Sequence, residues 1–320
     1  MTNTSDPPHV SLSRLTDVLA VVPYLLGFHP HESIVIVACR ERRVEFTARF
    51  DLGLCDDRPQ LRARLRHLHD PDRRFIVVAY SDDKADAAAA LRKVEALFAP
   101  GQVLVTFRTD GQRIWLPGHA RPLAVGSSPD ALSRILRRRV PAPLTRRDDL
   151  AALVAGPSPV MMTPASLHCA DAMAAVTAMS HDERLDVTTD LVRRGRPYPM
   201  DLTDAEAALL ACLMQEEPAR LVALCPMTRQ NAPEHVRLWL RVLDAICPAV
   251  ATPVLGMAGL AAWAAGEGAL LVCCLERALN LDPANKLIRL LDEINRRGLP
   301  PAAWDAVAPT LTCHEPEPVG

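Results

Sequence analysis

The chain has 320 residues, 49% of them hydrophobic and 23% charged, and a formal net charge of −2. That balance supports one large or two modest globular domains and excludes collagen-like, disordered and strongly basic or acidic classes, so bulk charge favours neither nucleic acid nor a membrane surface. Arginine outnumbers lysine 33 to 3, a bias that fits a GC-rich genome rather than recognition chemistry, and the 4% aromatic content weakens base stacking and sugar binding as functions.

Residues 1–10 are polar and read as a disordered lead-in; they lack the basic start of a secretory signal. Leu15, Val18, Leu19 and Val22 then recur at helical spacing. Pro23 costs that helix a hydrogen bond, Gly27 supplies the left-handed geometry that ends it, and Pro30 prevents its continuation. Ser33–Cys39 is a short run of β-branched residues without alternation, the pattern of a strand buried on both faces. Arg40–Arg43 is a charged turn. In the next strand Val44, Phe46, Ala48 and Phe50 share one face.

A turn at Asp56–Pro59 precedes a helix with Leu61, Leu65 and Leu68 inward and Arg62, Arg64 and Arg66 outward. Arg74–Tyr80 is a second buried strand. Ser81 is expected to start a helix reaching Phe98, and Gln102–Arg108 forms the next strand. The Asp110–Gly111 pair signals a hairpin returning through Arg113–Trp115. The order β-β-α-β-α-β-β predicts a mixed sheet with helices packed on it.

From about Pro122 only helical patterns remain. Helices are predicted over Ser128–Arg139, Arg147–Val154 and Pro164–Met179. Ser180/Glu183 and Thr203/Glu206 are capping boxes, and Asn231 is a further N-cap. Ala245–Gly266 carries no charge and is long enough to span a bilayer, but Pro248, Pro253, Gly256 and Gly259 favour a pair of buried segments. Leu255–Leu291 reads as a helix hairpin, its end Ala278–Pro283 similar to the close of a tetratricopeptide unit; one unit alone makes no solenoid. Asp282-Pro283 is expected to begin the last helix, with Leu287, Leu290, Leu291 and Ile294 inward and Gly298 and Pro300 closing it. The predicted architecture is an α/β (or α+β) domain over 11–125, an all-helical domain over 126–305, and disordered tails at 1–10 and 306–320. The nine cysteines include no CxxC pair and read as buried free thiols in a reducing cytoplasm.

Val22-Pro-Tyr-Leu-Leu-Gly-Phe-His-Pro30 with the following hairpin, and Leu275–Leu279, Asp282-Pro283, Arg289–Leu291 and Gly298–Trp304 near the other end, resemble a family of high-GC bacterial proteins catalogued as domain of unknown function 4192. The resemblance covers most of the chain. It implies a fold and brings no activity with it. Family members often carry a Trp-Ser segment followed by Cys-Cys-Pro; here Arg113–His119 contains no cysteine.

His29, His31 and Glu32 are residue types that bind zinc or iron, yet no second pair completes a ligand set, and a structural loop is the preferred reading. No nucleophile elbow, phosphate loop or dinucleotide fingerprint is present. Ligands of open α/β sheets bind beyond the carboxyl ends of strands, which nominates Arg40, Tyr80, Ser81, Asp82 and Arg108 as a cleft. Arg134, Arg137, Arg138 and Arg139, followed by Arg146 and Arg147, form the densest basic patch, a candidate for phosphate contacts; interspersed Asp130, Asp148 and Asp149 favour a solvated helix face. The leading expectation is a cytoplasmic, non-enzymatic interaction or regulatory protein whose helical domain holds a protein partner or a second copy of itself, without metal, cofactor or membrane. The alternatives are an enzyme or small-molecule-binding protein with its cleft at the strand ends, and nucleic-acid binding through the basic patch.

Overall fold

The computed structural model describes residues 14–40, 43–68, 70–123 and 142–311. The chain divides into two compact units, Met1–Arg147 and Asp148–Gly320. The helix predicted over Ser128–Arg139 lies outside the described residues.

In the first unit, helix α1 (Leu15–Leu26) keeps Pro23 inside it and ends at Gly27, whose φ of 77° suits a residue without Cβ. There follow β1 (Ser33–Arg40), β2 (Arg43–Asp51), α2 (Arg58–Leu65), β3 (Arg74–Tyr80), α3 (Lys84–Glu95), β4 (Val103–Thr109) and β5 (Ile114–Trp115). They build a five-stranded sheet in the order β2-β1-β3-β4-β5. Only β3 and β4 pair in parallel; the other neighbours are antiparallel. The sheet is therefore mixed, as the element order predicts. The two unbroken apolar runs, β1 and β3, sit beside each other inside the sheet, where both faces need covering, and the alternating β2 takes an edge.

One sheet face carries Ile34, Ile36, Ala38, Phe75, Val77 and Ala79, packed with Leu61 and Leu65 of α2 and Ala87, Ala90, Leu91 and Val94 of α3. Phe46, Ala48 and Phe50 of β2 join this core. The other face carries Val35, Val37, Ile76, Val78 and Phe107, all buried. The buried stripe of α1, Val18, Val21, Val22 and Leu26, takes no part in the first core.

Helix α3 begins later than predicted. Asp83 is its N-cap, accepting from the backbone of Ala85 at 2.7 Å and Asp86 at 2.9 Å. The helix also ends at Glu95, because Leu97 and Phe98 turn back to carbonyls three residues earlier.

The second unit is all helical: α4 (Arg147–Ala152, crossing the boundary), α5 (Met162–Ala178), α6 (His181–Gly195), α7 (Asp204–Leu213), α8 (Glu217–Leu224), α9 (Ala232–Ala245), α10 (Ala251–Ala265), α11 (Gly268–Leu281), α12 (Lys286–Arg297) and α13 (Trp304–Val307). Helical turns continue through Thr310. Both predicted capping boxes form, at Ser180/Glu183 and Thr203/Glu206. Asn231 does stand at the N-cap of α9, but its side chain turns backwards. Its Oδ1 accepts from Thr228 N at 2.8 Å and its Nδ2 donates to Pro226 O at 2.8 Å, tying the preceding loop instead of the helix. Asp282-Pro283 likewise does not start α12. Asp282 caps the end of α11, and Asn285 is the N-cap of α12, accepting from Leu287 N at 3.1 Å.

Helix α10 is the axis of this unit. It packs against α9, α11 and α12, and every residue from Ala251 to Ala264 is buried. The stretch Pro248–Ala265 is long and apolar enough to cross a membrane, and 83% of it is buried inside the chain. Gly256 lets α12 approach: a Cβ there would fall on the Leu287 side chain. Trp263 donates to Leu299 O at 2.8 Å and meets Trp304 edge to face at 6.3 Å, while Trp304 donates to Met227 O at 3.0 Å. The Gly298–Trp304 motif thus fastens the end of the chain to α10 and to the loop after α8. Cys39, Cys55, Cys169, Cys212, Cys247, Cys273 and Cys274 are free thiols; Cys225 is disulfide-bonded, against the expectation of free thiols throughout.

Candidate functional site

The direction of β1 decides which predicted residues meet. Because β1 runs antiparallel to both neighbours, its first residue, Ser33, pairs with the last of β3, Tyr80, and of β2, Asp51. Thr109, at the end of β4, lies beside Tyr80. One end of the sheet therefore gathers the carboxyl ends of β2, β3 and β4 with the loop that enters β1. The two separate candidates, His29/His31/Glu32 and Tyr80/Ser81/Asp82/Arg108, come to this same end.

Arg40 does not. It closes β1 at the far end of the sheet, where it pairs with Asp70 and lies 3.5 Å from Glu45. Arg73 reaches Glu45 at 2.7 Å from the same end. A backbone N–H of Asp72 and the Arg40 guanidinium hold the Asp70 carboxyl below the usual range. The nomination of Arg40 assumed a strand parallel to β3, and the antiparallel pairing overturns it.

At the shared end, most polar groups bind one another. Glu32, at φ 40°, holds a conformation that side chains other than Gly, Asn and Asp rarely adopt. Three contacts hold it there: its Oε2 accepts from Ser81 Oγ at 3.0 Å, its Oε1 from Asp82 N at 3.4 Å, and its carbonyl from Leu52 N at 3.0 Å. Arg108 donates to Ser81 O at 3.0 Å and lies over the Trp115 ring, 3.8 Å from its centroid. Ser81, Asp82, Glu32 and Arg108 thus form a joint between the entry to β1 and the β3–α3 turn rather than an open cleft. His29 and His31 are exposed. Among the described residues no three His, Cys, Asp or Glu side chains are grouped to hold a metal.

Tyr80 is different. Its side chain is buried, its hydroxyl has no hydrogen-bond partner, and burial pushes the phenol pKa well above its ordinary value. Ser33 Oγ, Thr47 Oγ1 and Arg49 Nε are also buried without partners. The alternation of β2 places Glu45, Thr47 and Arg49 on one face, and that pattern reads as solvent-facing; Thr47 and Arg49 are instead half-buried. The helical unit has a shallow depression lined by Gln215, Thr252, Leu281, Asp282 and Asn285. Three of its polar side chains are engaged: Gln215 donates to Val250 O at 3.1 Å, Asp282 accepts from Ala284 N at 3.0 Å, and Asn285 accepts from Leu287 N at 3.1 Å. Arg134, Arg137, Arg138 and Arg139 lie outside the described residues.

Backbone hydrogen bonds hold the end of the opening motif in place. Gly27 O accepts from Leu144 N at 2.8 Å, His29 N donates to Leu144 O at 2.9 Å, and Phe28 between them is buried. The loop is thereby a two-sided latch on the segment around residue 144. With the C-terminal motif anchoring α10, both stretches that carried the resemblance have a physical role in holding the fold. No curated protein and no solved structure matches the chain. The family described as Domain of unknown function (DUF4192) matches residues 16–302, nearly the whole chain, and the protein belongs to that family.

Proposed function

We propose that the protein is a non-enzymatic interaction protein of the cytoplasm that holds a protein partner on its helical unit. One observation carries this reading: the outward face of α5. Only Ala165, Cys169, Ala172 and Val176 of this 17-residue helix are buried. Leu167, 62% exposed, shares the outer face with Ala170, Ala174 and Ala178, and Met173 is exposed beside it. Val160, 84% exposed, and Met161 precede the helix. Asp171 is its only charged residue. An apolar face kept in water is costly for a monomer and typical of a surface that a partner covers.

The test is isolation from the host of the full chain and of Leu167→Asp and Ala174→Glu variants, with stoichiometry read by native mass spectrometry and fold by circular dichroism. A stoichiometric partner, or a second copy, lost in both folded variants supports the reading. A bare monomer, or a partner retained by both variants, refutes it.

A further inference from the structure

Three cysteines of the helical unit meet at one place. Cys169 lies on the buried face of α5, Cys212 on α7, and Cys247 in the turn between α9 and α10. The Cys169 sulfur accepts from Cys247 N at 3.5 Å. That nitrogen is one bond from Cα, so the sulfur lies within about 5 Å of the Cys247 Cα, a separation that a disulfide bridges. The two thiols also hydrogen-bond each other. Cys212 is aimed elsewhere: its thiol donates to Cys169 O, a backbone atom, at 3.7 Å. Exposure then separates the pair. Among the free thiols of the described residues, only Cys247 is half-buried; the rest, Cys169 included, are buried. Burial pushes the Cys169 thiol up to about 11, which keeps it protonated and unreactive towards reagents in water. The two residues are 78 apart in the sequence, so no CxxC spacing announces them.

We propose that Cys169 and Cys247 are a redox-active dithiol that closes to a disulfide when a peroxide reaches Cys247. The Cys247 thiolate attacks one peroxide oxygen and the O–O bond breaks. Hydroxide leaves and takes up the thiol's proton as water, and Cys247 becomes a sulfenic acid. The Cys169 sulfur then attacks the Cys247 sulfur. The S–S bond forms, the S–O bond breaks, and the hydroxyl departs with the Cys169 proton as a second water. One peroxide is thus reduced to two waters while two thiols give up two electrons. A resolving thiol must wait at contact distance and be spared direct oxidation, and Cys169 meets both conditions. The bond ties α5 to the turn ahead of α10. Its formation does not depend on whether the outer face of α5 holds a partner.

The experiment titrates the full chain with hydrogen peroxide from equimolar to excess, blocks the remaining thiols with N-ethylmaleimide, and maps the peptides by mass spectrometry without reduction. The expected result is a peptide pair joined through Cys169 and Cys247, the loss of both thiols from the blocked pool, and their return with dithiothreitol. Cys169→Ser should leave Cys247 as a sulfenic acid that dimedone traps. Cys247→Ser should leave Cys169 a free thiol, and Cys212→Ser should still form the bond. Circular dichroism checks the fold of each variant, and the native chain alone decides the matter where a variant misfolds. Recovery of Cys169 and Cys247 as free thiols from the native chain in excess peroxide overturns the proposal. A bond from either of them to Cys212 overturns it as well, as does dimedone trapping of Cys247 in the native chain to the same extent as in Cys169→Ser.

Discussion

His235 should make the helical unit acid-sensitive by a calculable amount. It is fully buried on α9 and neither ring nitrogen has a partner. Burial, and then the nearby Arg196 charge, push its pKa down to about 4. In the unfolded chain it titrates near 6.5. The folded state therefore binds this proton more weakly than the unfolded state does. Its contribution is fully present above pH 6.5 and disappears as pH falls towards 4. A shift of this size corresponds to about 3 kcal/mol, a large share of the stability of an ordinary domain. The assay is urea unfolding followed by circular dichroism at several pH values between 7 and 4, for the native chain and for His235→Leu. At pH 7 the variant should be nearly as stable as the native chain, since it removes two unsatisfied polar atoms with the ring. Between pH 6.5 and 4 the native chain should lose about 3 kcal/mol more than the variant does. Equal losses in the two proteins would refute the assignment, as would nuclear magnetic resonance titration of the His235 ring near pH 6.5 in the folded chain.

Gly256→Ala should cost about 1–3 kcal/mol, measured by the same unfolding assay, because the new methyl group must displace Leu287 from the α10–α12 contact. Glu32→Ala removes the acceptor of Ser81 and Asp82 and should lower stability by about 1–3 kcal/mol, with faster hydrogen exchange at the Asp82 amide. Ser180→Ala removes the cap of α6 and should cost about 1 kcal/mol, visible as a lower melting temperature.

The elements were legible wherever local chemistry alone decides them. An unbroken β-branched run has few structural options, so β1 and β3 could be read as buried strands. A Ser or Thr three residues ahead of Glu forms a capping box with no help from tertiary structure. The misreadings have the opposite character. Ser81 looks like a helix start, but Glu32, 49 residues away, claims its hydroxyl and the cap passes to Asp83. Asn231 looks like a cap, but the loop behind it offers stronger partners. The rule about strand ends brings Tyr80 and Arg108 to one end of the sheet and leaves Arg40 at the other, because strand direction depends on pairing that no local pattern encodes. The burial of Thr47 and Arg49 escapes the sequence, because alternation tells which residues share a face and is silent on what covers that face.

The enclosed position of α10 bears on how the chain can be cut. A rod that is apolar on every side has no surface of its own to show to water, so its neighbours form a sheath that works only when complete. α12 supplies one stave, seated over Gly256 and Gly259. A fragment ending before Lys286 bares that side of the rod, and it should precipitate or be degraded even though it keeps both helices of the α10–α11 hairpin. The helical unit is therefore indivisible from Ala251 to Arg297, and fragments used to test it for a partner should begin or end outside that span.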